Sequence, residues 1–157
     1  LATSRKGTRF DLYFPLSPNR EFRPVSRRVM NELTGNGERI LVIDDEEFQR
    51  EIARTTLNQL GYNVQTVDSG EEALEFVQSE SVDLLILDMV FETGMNGVDT
   101  FAAIKKIKPQ QKALVTSGFF DITEQARISS LGVNHYLHKP YSIAAMGRAI
   151  HQALQSR

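Results

Sequence analysis

The 157-residue sequence has no cysteine and no tryptophan. Without cysteine there are no disulfides, no thiolate metal ligands and no cysteine nucleophile, and the absence suits a cytoplasmic location. Long apolar runs are also missing. The longest, around Leu84 to Leu87, falls far short of the roughly 18 residues of a membrane span. The first residues are polar and basic without an apolar stretch, so no signal peptide is visible. The chain opens on Leu1 rather than methionine, as a piece of a longer protein would. The apolar fraction of 41% and charged fraction of 24% are those of a folded domain with a core.

Charge is divided unevenly along the chain. Residues 1–40 hold eight Lys/Arg against four Asp/Glu, and residues 41–157 hold ten against sixteen. An acidic globular part is a poor nucleic-acid binder, because phosphate contacts dominate such binding. The basic stretch "REFRPVSRR" lacks interleaved aromatics and reads as a solvated linker rather than a nucleic-acid arm. No helix-turn-helix follows the last predicted helix, so DNA-directed output is not expected.

From residue 39 onward, strands and helices alternate with short connections. Strands are predicted over 39–44, 62–67, 82–88, 112–118 and 133–138. The helix predicted over 46–61 places Phe48, Ile52, Leu57 and Leu60 on one side and stops at Gly61. Ser69 and Glu72 form a capping box, Asp121 and Glu124 open another helix, and Ser142 starts the last. "ILVI" and "LLIL" are apolar at every position, as parallel strands covered on both faces require. Right-handed crossovers then predict an α/β fold with a doubly wound five-stranded parallel sheet. Its ligands belong at the C-terminal ends of the strands.

Those ends are chemically distinctive. The first strand delivers Asp44 and Asp45, the third Asp88, the fourth Thr116 and Ser117, and the fifth is followed by Lys139 and Pro140. Carboxylates converging there repel and call for a cation, and oxygen ligands favour Mg²⁺. Lys139 and Thr116 would then meet the oxygens of a phosphoryl group. Each residue has a plainer reading as well. Asp45 reads also as a helix N-cap, Thr116 as a strand threonine and Tyr136 as packing. His135 and His138, three apart on a strand, face opposite sides and do not form a metal pair.

Residues 39–157 resemble the response-regulator receiver domain of two-component signalling. The likeness rests on "LVIDDEE", "DLLILDMV…GMNG", "LVTSG" and "YLHKP", in order and at the family's spacing. It implies a flavodoxin-like sheet of order 2-1-3-4-5, counted from residue 39, with Asp88 as phosphoacceptor. Asp44, Asp45, Asp88 and the Val90 carbonyl would hold Mg²⁺, and Lys139 would pair with phosphoryl oxygens. Thr116 would swing in to them as Tyr136 turns inward, a two-residue switch. Ser117, Val90 and Gly118 would flank the phosphoryl group. Lys139–Pro140 matches the family's cis peptide. The implied partners are a histidine kinase or a histidine phosphotransfer protein, not nucleic acid or membrane. One departure stands out: "DMVFETGMNG" lacks the family's Met-Pro, and Gly97 comes nine rather than eight residues after Asp88. The loop is one residue longer, which alters what docks beside Asp88.

Residues 1–16 resemble the last strand of a sensor histidine kinase ATP-binding domain, through Lys6–Gly7–Thr8 and Phe10 to Pro15. Phe10, Leu12 and Phe14 alternate with Arg9, Asp11 and Tyr13, yet the next 24 residues offer no strand to pair with. Residues 17–38 then read as a linker. The resemblance implies a hybrid histidine kinase as parent, with the kinase's catalytic machinery outside this sequence, so this piece only accepts phosphate. Residues 1–38 are expected to be disordered, docked on the receiver, or paired with another copy as a homodimer through an open edge. "SRRVMNELTG" reads as a short linker helix. The alternatives to a phosphorelay receiver are a receiver-like interaction module without phosphoryl turnover and an aspartate-nucleophile phosphatase. The module would be marked by loss of Asp88, Lys139 or one of the acidic pair, and none is lost. The phosphatase would place its nucleophile after the first strand with a second Asp two positions on, and here the pair is adjacent.

Overall fold

The computed structural model describes residues 2–4, 7–9, 13, 33–118 and 121–156. Two short strands come first, β1 (Ala2–Ser4) and β2 (Gly7–Arg9), paired antiparallel with Thr3 opposite Thr8. The partner that the sequence reading lacked therefore precedes the strand instead of following it. Phe10, Leu12 and Phe14 lie outside the described residues, as does most of "SRRVMNELTG", while Tyr13 is exposed.

Five βα units follow: β3 (Arg39–Ile43), α1 (Glu47–Gln59), β4 (Asn63–Val67), α2 (Gly70–Ser79), β5 (Leu84–Asp88), α3 (Gly97–Ile107), β6 (Ala113–Ser117), α4 (Ile122–Ser130), β7 (His135–His138) and α5 (Ile143–Gln155). The sheet is parallel in the order β4-β3-β5-β6-β7, the flavodoxin-like 2-1-3-4-5 arrangement expected. Every residue of β5 and β6 is buried, which is why they are apolar up to their C-terminal ends, where Asp88, Thr116 and Ser117 stand. One core cluster, including Leu41, Leu85, Phe101 and Val115, covers one face of the sheet; a second, with Ile40, Leu57, Leu114 and Ile150, covers the other.

Register decides where the functional residues stand. Ile43 is level with Leu87, so Asp44 and Asp88 emerge side by side. Asp88 is level with Thr116, and Ser117 with His138, which puts Lys139 one step beyond the same edge.

Helix starts follow side-chain chemistry. Ser69 Oγ accepts from Glu72 N, while the Glu72 carboxylate reaches back to Asp68 N, one residue before the cap. Asn96, Asp121 and Ser142 cap α3, α4 and α5 in the same manner. Helix α1 differs: its N-cap is Glu46, with no side-chain cap bond. Asp45 is therefore not a cap. The buried face of α1 also departs from expectation. Ala53, Leu57 and Leu60 are buried, whereas Phe48 is 73% and Ile52 46% exposed. At 100° per residue the Phe48/Ile52 pair lies roughly 130° around the helix from the others, so one apolar stripe cannot contain both sets.

The described end of the linker, 33–38, is docked on the domain, one of the arrangements expected for residues 1–38, while "REFRPVSRR" lies outside the described residues. Gly35 N donates to the Leu60 carbonyl at 2.7 Å, and Gly37 N to that of Gly61 at 3.0 Å. The Tyr62 hydroxyl donates to the Leu33 carbonyl at 3.3 Å. Leu33 is only 3% exposed and sits over Gly147 of α5, where an added Cβ would come within 3.0 Å of its own Cβ. Leu33 thus belongs to the core although it precedes the first core strand. Leu33→Ala is expected to lower the unfolding free energy by about 2–5 kcal/mol in urea titration. A loss below about 0.5 kcal/mol would show that residue 33 adds no core packing.

Candidate functional site

The strand ends bring their acids together. Asp44, Asp45 and Asp88 each offer a carboxylate oxygen, and these lie within 4.8 Å of one another. Asp44 and Asp88 are buried and Asp45 half-buried. Lys139 Nζ bridges two of them, donating to Asp44 Oδ2 at 2.8 Å and to Asp88 Oδ2 at 2.9 Å. The backbone holds Lys139 there: its N–H donates to the Ser117 carbonyl at 2.8 Å, and Lys139–Pro140 is cis. Asp88 Oδ1 accepts from Met89 N at 2.8 Å. Gly97 lets α3 start against this point, since a Cβ on it would fall 2.3 Å from the Asp88 carbonyl oxygen.

The acidic pair is clamped through its backbone as well. Arg50 Nη1 on α1 donates to the carbonyls of Asp44 and Asp45 at 2.7 and 2.9 Å. Asp44 Oδ1 accepts from Glu46 N at 3.0 Å. Asp45 Oδ2 accepts from Glu92 N, on the loop after β5, at 2.7 Å.

A cavity of about 440 Å³ opens on this edge, lined by Asp45, Glu46, Asp88, Val90, Glu92, Ser117, Gly118 and Lys139. Six of the residues singled out in the sequence thus share one cavity, and Asp44 stands behind it on Lys139. Thr116 does not line it: its buried hydroxyl turns to the Leu87 carbonyl at 3.4 Å. Tyr136 is apart too, half-buried, with its hydroxyl on the Val133 carbonyl at 2.9 Å and on Ser129 Oγ at 2.6 Å. Arg50 and Glu92 escaped the sequence reading. Arg50 looks like an ordinary surface residue of α1, and Glu92 acts through its backbone, which no residue type announces. Loop length was the only signal.

Burial, chiefly, pushes the Asp88 carboxyl above its usual value, and the Asp44 charge adds to this against the lowering effect of Lys139. Burial alone would lower Lys139, but its bonds to Asp44 and Asp88 outweigh that and push it up to about 12. Both members of the Lys139–Asp88 pair move upward, Asp88 chiefly through burial and Lys139 through its bonds to two carboxylates. The donor set is all carboxylate, with net negative charge after Lys139 is counted and one oxygen, Asp45 Oδ1, accepting no hydrogen bond among the described residues. Such a set fits a hard divalent cation such as Mg²⁺.

The signs fix a pH dependence. A carboxyl raised in the folded state favours folding below its ordinary value of 3.8 and loses that contribution as pH rises through the folded value. Ionised Asp88 therefore works against the fold at neutral pH, and Lys139 offsets this, a contribution lost only as pH rises through about 12. Lys139→Met should cost roughly 3 kcal/mol at pH 7 without divalent cation. The loss should shrink as pH falls and Asp88 takes a proton. Urea titrations at pH 7 and down through the acid range check this, and an equal loss throughout would contradict it.

The response regulator receiver domain family matches residues 40–151. The autoinducer 1 sensor kinase/phosphatase LuxN of Vibrio campbellii is 31% identical over 88% of this chain and 18% of its own length. The probable transcriptional regulator ycf27 of Cyanidium caldarium is 30% identical over 83% of this chain and 53% of its own. The chain thus spans about a fifth and about half of these relatives. Among solved structures, a response regulator receiver domain protein from Clostridium thermocellum superposes with a TM-score of 0.69 at 30% identity, over 74% of this chain and 94% of that one. The response regulator TrrA of Thermotoga maritima, in complex with Mg²⁺ and BeF, superposes at 0.66 with 29% identity, over 74% and 98%.

Proposed function

This chain belongs to the response regulator receiver domain family of two-component signalling, and on that premise we propose that it accepts a phosphoryl group from a phosphohistidine onto Asp88, with Mg²⁺ held by Asp44, Asp45, Asp88 and the Val90 carbonyl. The observation that carries this is the buried Asp88 carboxylate, anchored by Lys139 beside two further acids at the mouth of a cavity. An Asp88 oxygen forms the new O–P bond as the donor's P–N bond breaks, and the electron pair leaves with the imidazole nitrogen. When bound, the cation neutralises the acids and draws charge from the phosphoryl oxygens. Lys139, within 2.9 Å of Asp88 Oδ2, is placed to transfer a hydrogen bond to a phosphoryl oxygen. Ser117 and Gly118 leave room beside it.

Thr116 and Tyr136 supply the switch. The Thr116 hydroxyl is held by one long bond to Leu87, so turning it toward a phosphoryl oxygen costs little. Tyr136 would then exchange its bonds to Ser129 and Val133 for the vacated space, remodelling the surface of α4, β7 and α5.

The parent is read as a hybrid sensor histidine kinase, and the partner as a histidine kinase or histidine phosphotransfer protein in the cytoplasm. The LuxN likeness supports this beyond the receiver itself. Its 88% coverage is about 138 residues, against 112 in 40–151, so at least about 20 aligned residues precede Ile40. Residues 1–16 would be the remnant kinase strand and 17–38 the linker.

Intact-mass spectrometry after acetyl phosphate treatment tests the reading. Wild type should gain one phosphoryl group only with Mg²⁺, and Asp88→Asn none. No adduct on a folded wild type would leave a protein-interaction module instead. Neither Val90 nor Gly118 carries a polar side chain to align a hydrolytic water, so the adduct should decay slowly; a half-life of seconds would contradict that.

A further inference from the structure

The loop between β5 and α3 is the segment that departs from the family pattern, and it is tied to two other elements. Glu92 N donates to Asp45 Oδ2 at 2.7 Å, across 47 positions of sequence. Three residues on, Met95 N donates to Glu71 Oε1 at 3.2 Å. Between them Gly94 takes a φ of 80°, and a Cβ on it would stand 3.1 Å from the Glu71 carboxylate. Phe91 turns onto the core cluster that holds Met89 and Phe101. This loop is a braced strut.

Its first brace falls on a residue of the candidate cation site. Asp44 has both carboxylate oxygens engaged, by Glu46 N and Lys139 Nζ. Asp45 has its carbonyl fixed by Arg50 and its Oδ2 by the Glu92 amide. That leaves Oδ1 with its direction set, because holding one oxygen of a planar carboxylate orients the other. An outer group that orients a ligand in this manner tunes affinity without touching the ion.

We propose that the Glu92 amide is a positioning donor for Asp45, so that the lengthened loop is an outer shell of the cation site and its conformation is coupled to cation occupancy. This rests on the cation reading given above. The coupling runs both ways: a partner that moves the loop changes cation affinity, and the cation stiffens the surface offered beside Asp88.

Mn²⁺ binding to the metal-free protein, followed by electron paramagnetic resonance of the free ion, tests it on two variants. Glu92→Ala removes the exposed carboxylate and keeps the amide donor. Glu92→Pro removes the donor while keeping the negative φ that Glu92 already has. The alanine variant should bind within about two- to three-fold of wild type, and the proline variant roughly ten-fold or more weaker. Equal affinities in the two variants would overturn the proposal. Absence of Mn²⁺ binding by wild type would instead overturn the cation reading, so the two failures are distinguishable. If the proline variant loses its native NMR dispersion, amide hydrogen exchange on Asp45→Ala decides. Exchange at Glu92 should then speed up about ten-fold or more, with Met95 little changed; unchanged exchange at Glu92 would overturn the proposal.

Discussion

Three carboxylates crowded against one ammonium is the constraint on which the rest of this structure depends. Ionised oxygens within 4.8 Å of one another repel by on the order of 3 kcal/mol per pair at an effective dielectric of about 20. Hydrophobic burial has to hold the site together in spite of that. The sheet edge does so because β3 is buried from Ile40 to Ile43 and β5 along its whole length, so the acids at their ends cannot splay apart without disturbing the core. Lys139 relieves the repulsion only in part, since it touches Asp44 and Asp88 and not Asp45.

Much of the surrounding chain acts to keep that arrangement in place. Parallel register brings Asp44 level with Asp88 and sets Lys139 one residue past the end of β7. Gly97 allows α3 to begin in contact with the Asp88 backbone, an approach closed to any residue with a Cβ. Arg50 pulls on the two carbonyls of the acidic pair, which gives the start of α1 a hold it lacks from a capping side chain. Asp45 reads as a cap in the sequence, but the helix starts one residue later than that, behind Glu46, and the Asp45 carboxylate accepts from the loop amide instead. A local helix signal has been overridden by a contact 47 residues away.

This contrast also separates what was legible in the sequence from what was not. The sheet was legible because "ILVI" and "LLIL" admit only strands covered on both faces, and Asp44, Asp45, Asp88 and Lys139 because they sit where such strands end. Ser69, Asp121 and Ser142 announced helix starts through chemistry confined to one turn. Phe48 and Ile52 misled because apolar character alone does not say which side of a helix meets the core. Leu33 was hidden for a different reason: it stands in a stretch read as linker, and its burial depends on Gly147, more than a hundred residues away. Arg50 and Glu92 were invisible because they work through backbone atoms, which every residue has.

The same site shows why phosphorylation, on the proposed reading, would reorganise this fold rather than decorate it. Without a cation, three acids and one lysine leave a net charge of about −2, which a divalent ion cancels. Converting Asp88 to an acyl phosphate removes one carboxylate charge and brings up to two on the phosphoryl group, so the site is again short of positive charge and of donors. Lys139 already serves both Asp44 and Asp88 and would have to shift toward the new oxygens. Thr116 is a candidate donor: level with Asp88 across the sheet, buried, and with its hydroxyl on a 3.4 Å bond to Leu87. Its movement would free the Leu87 carbonyl on β5; Tyr136 of β7, level with Val115, is the residue that the proposed switch would turn inward. The ring is held there by two hydroxyl bonds rather than by complete burial. On the proposed reading, a demand for charge at Asp88 would thus be met by Thr116 and passed on as Tyr136 gives up its two hydroxyl bonds, at the surface of α4, β7 and α5.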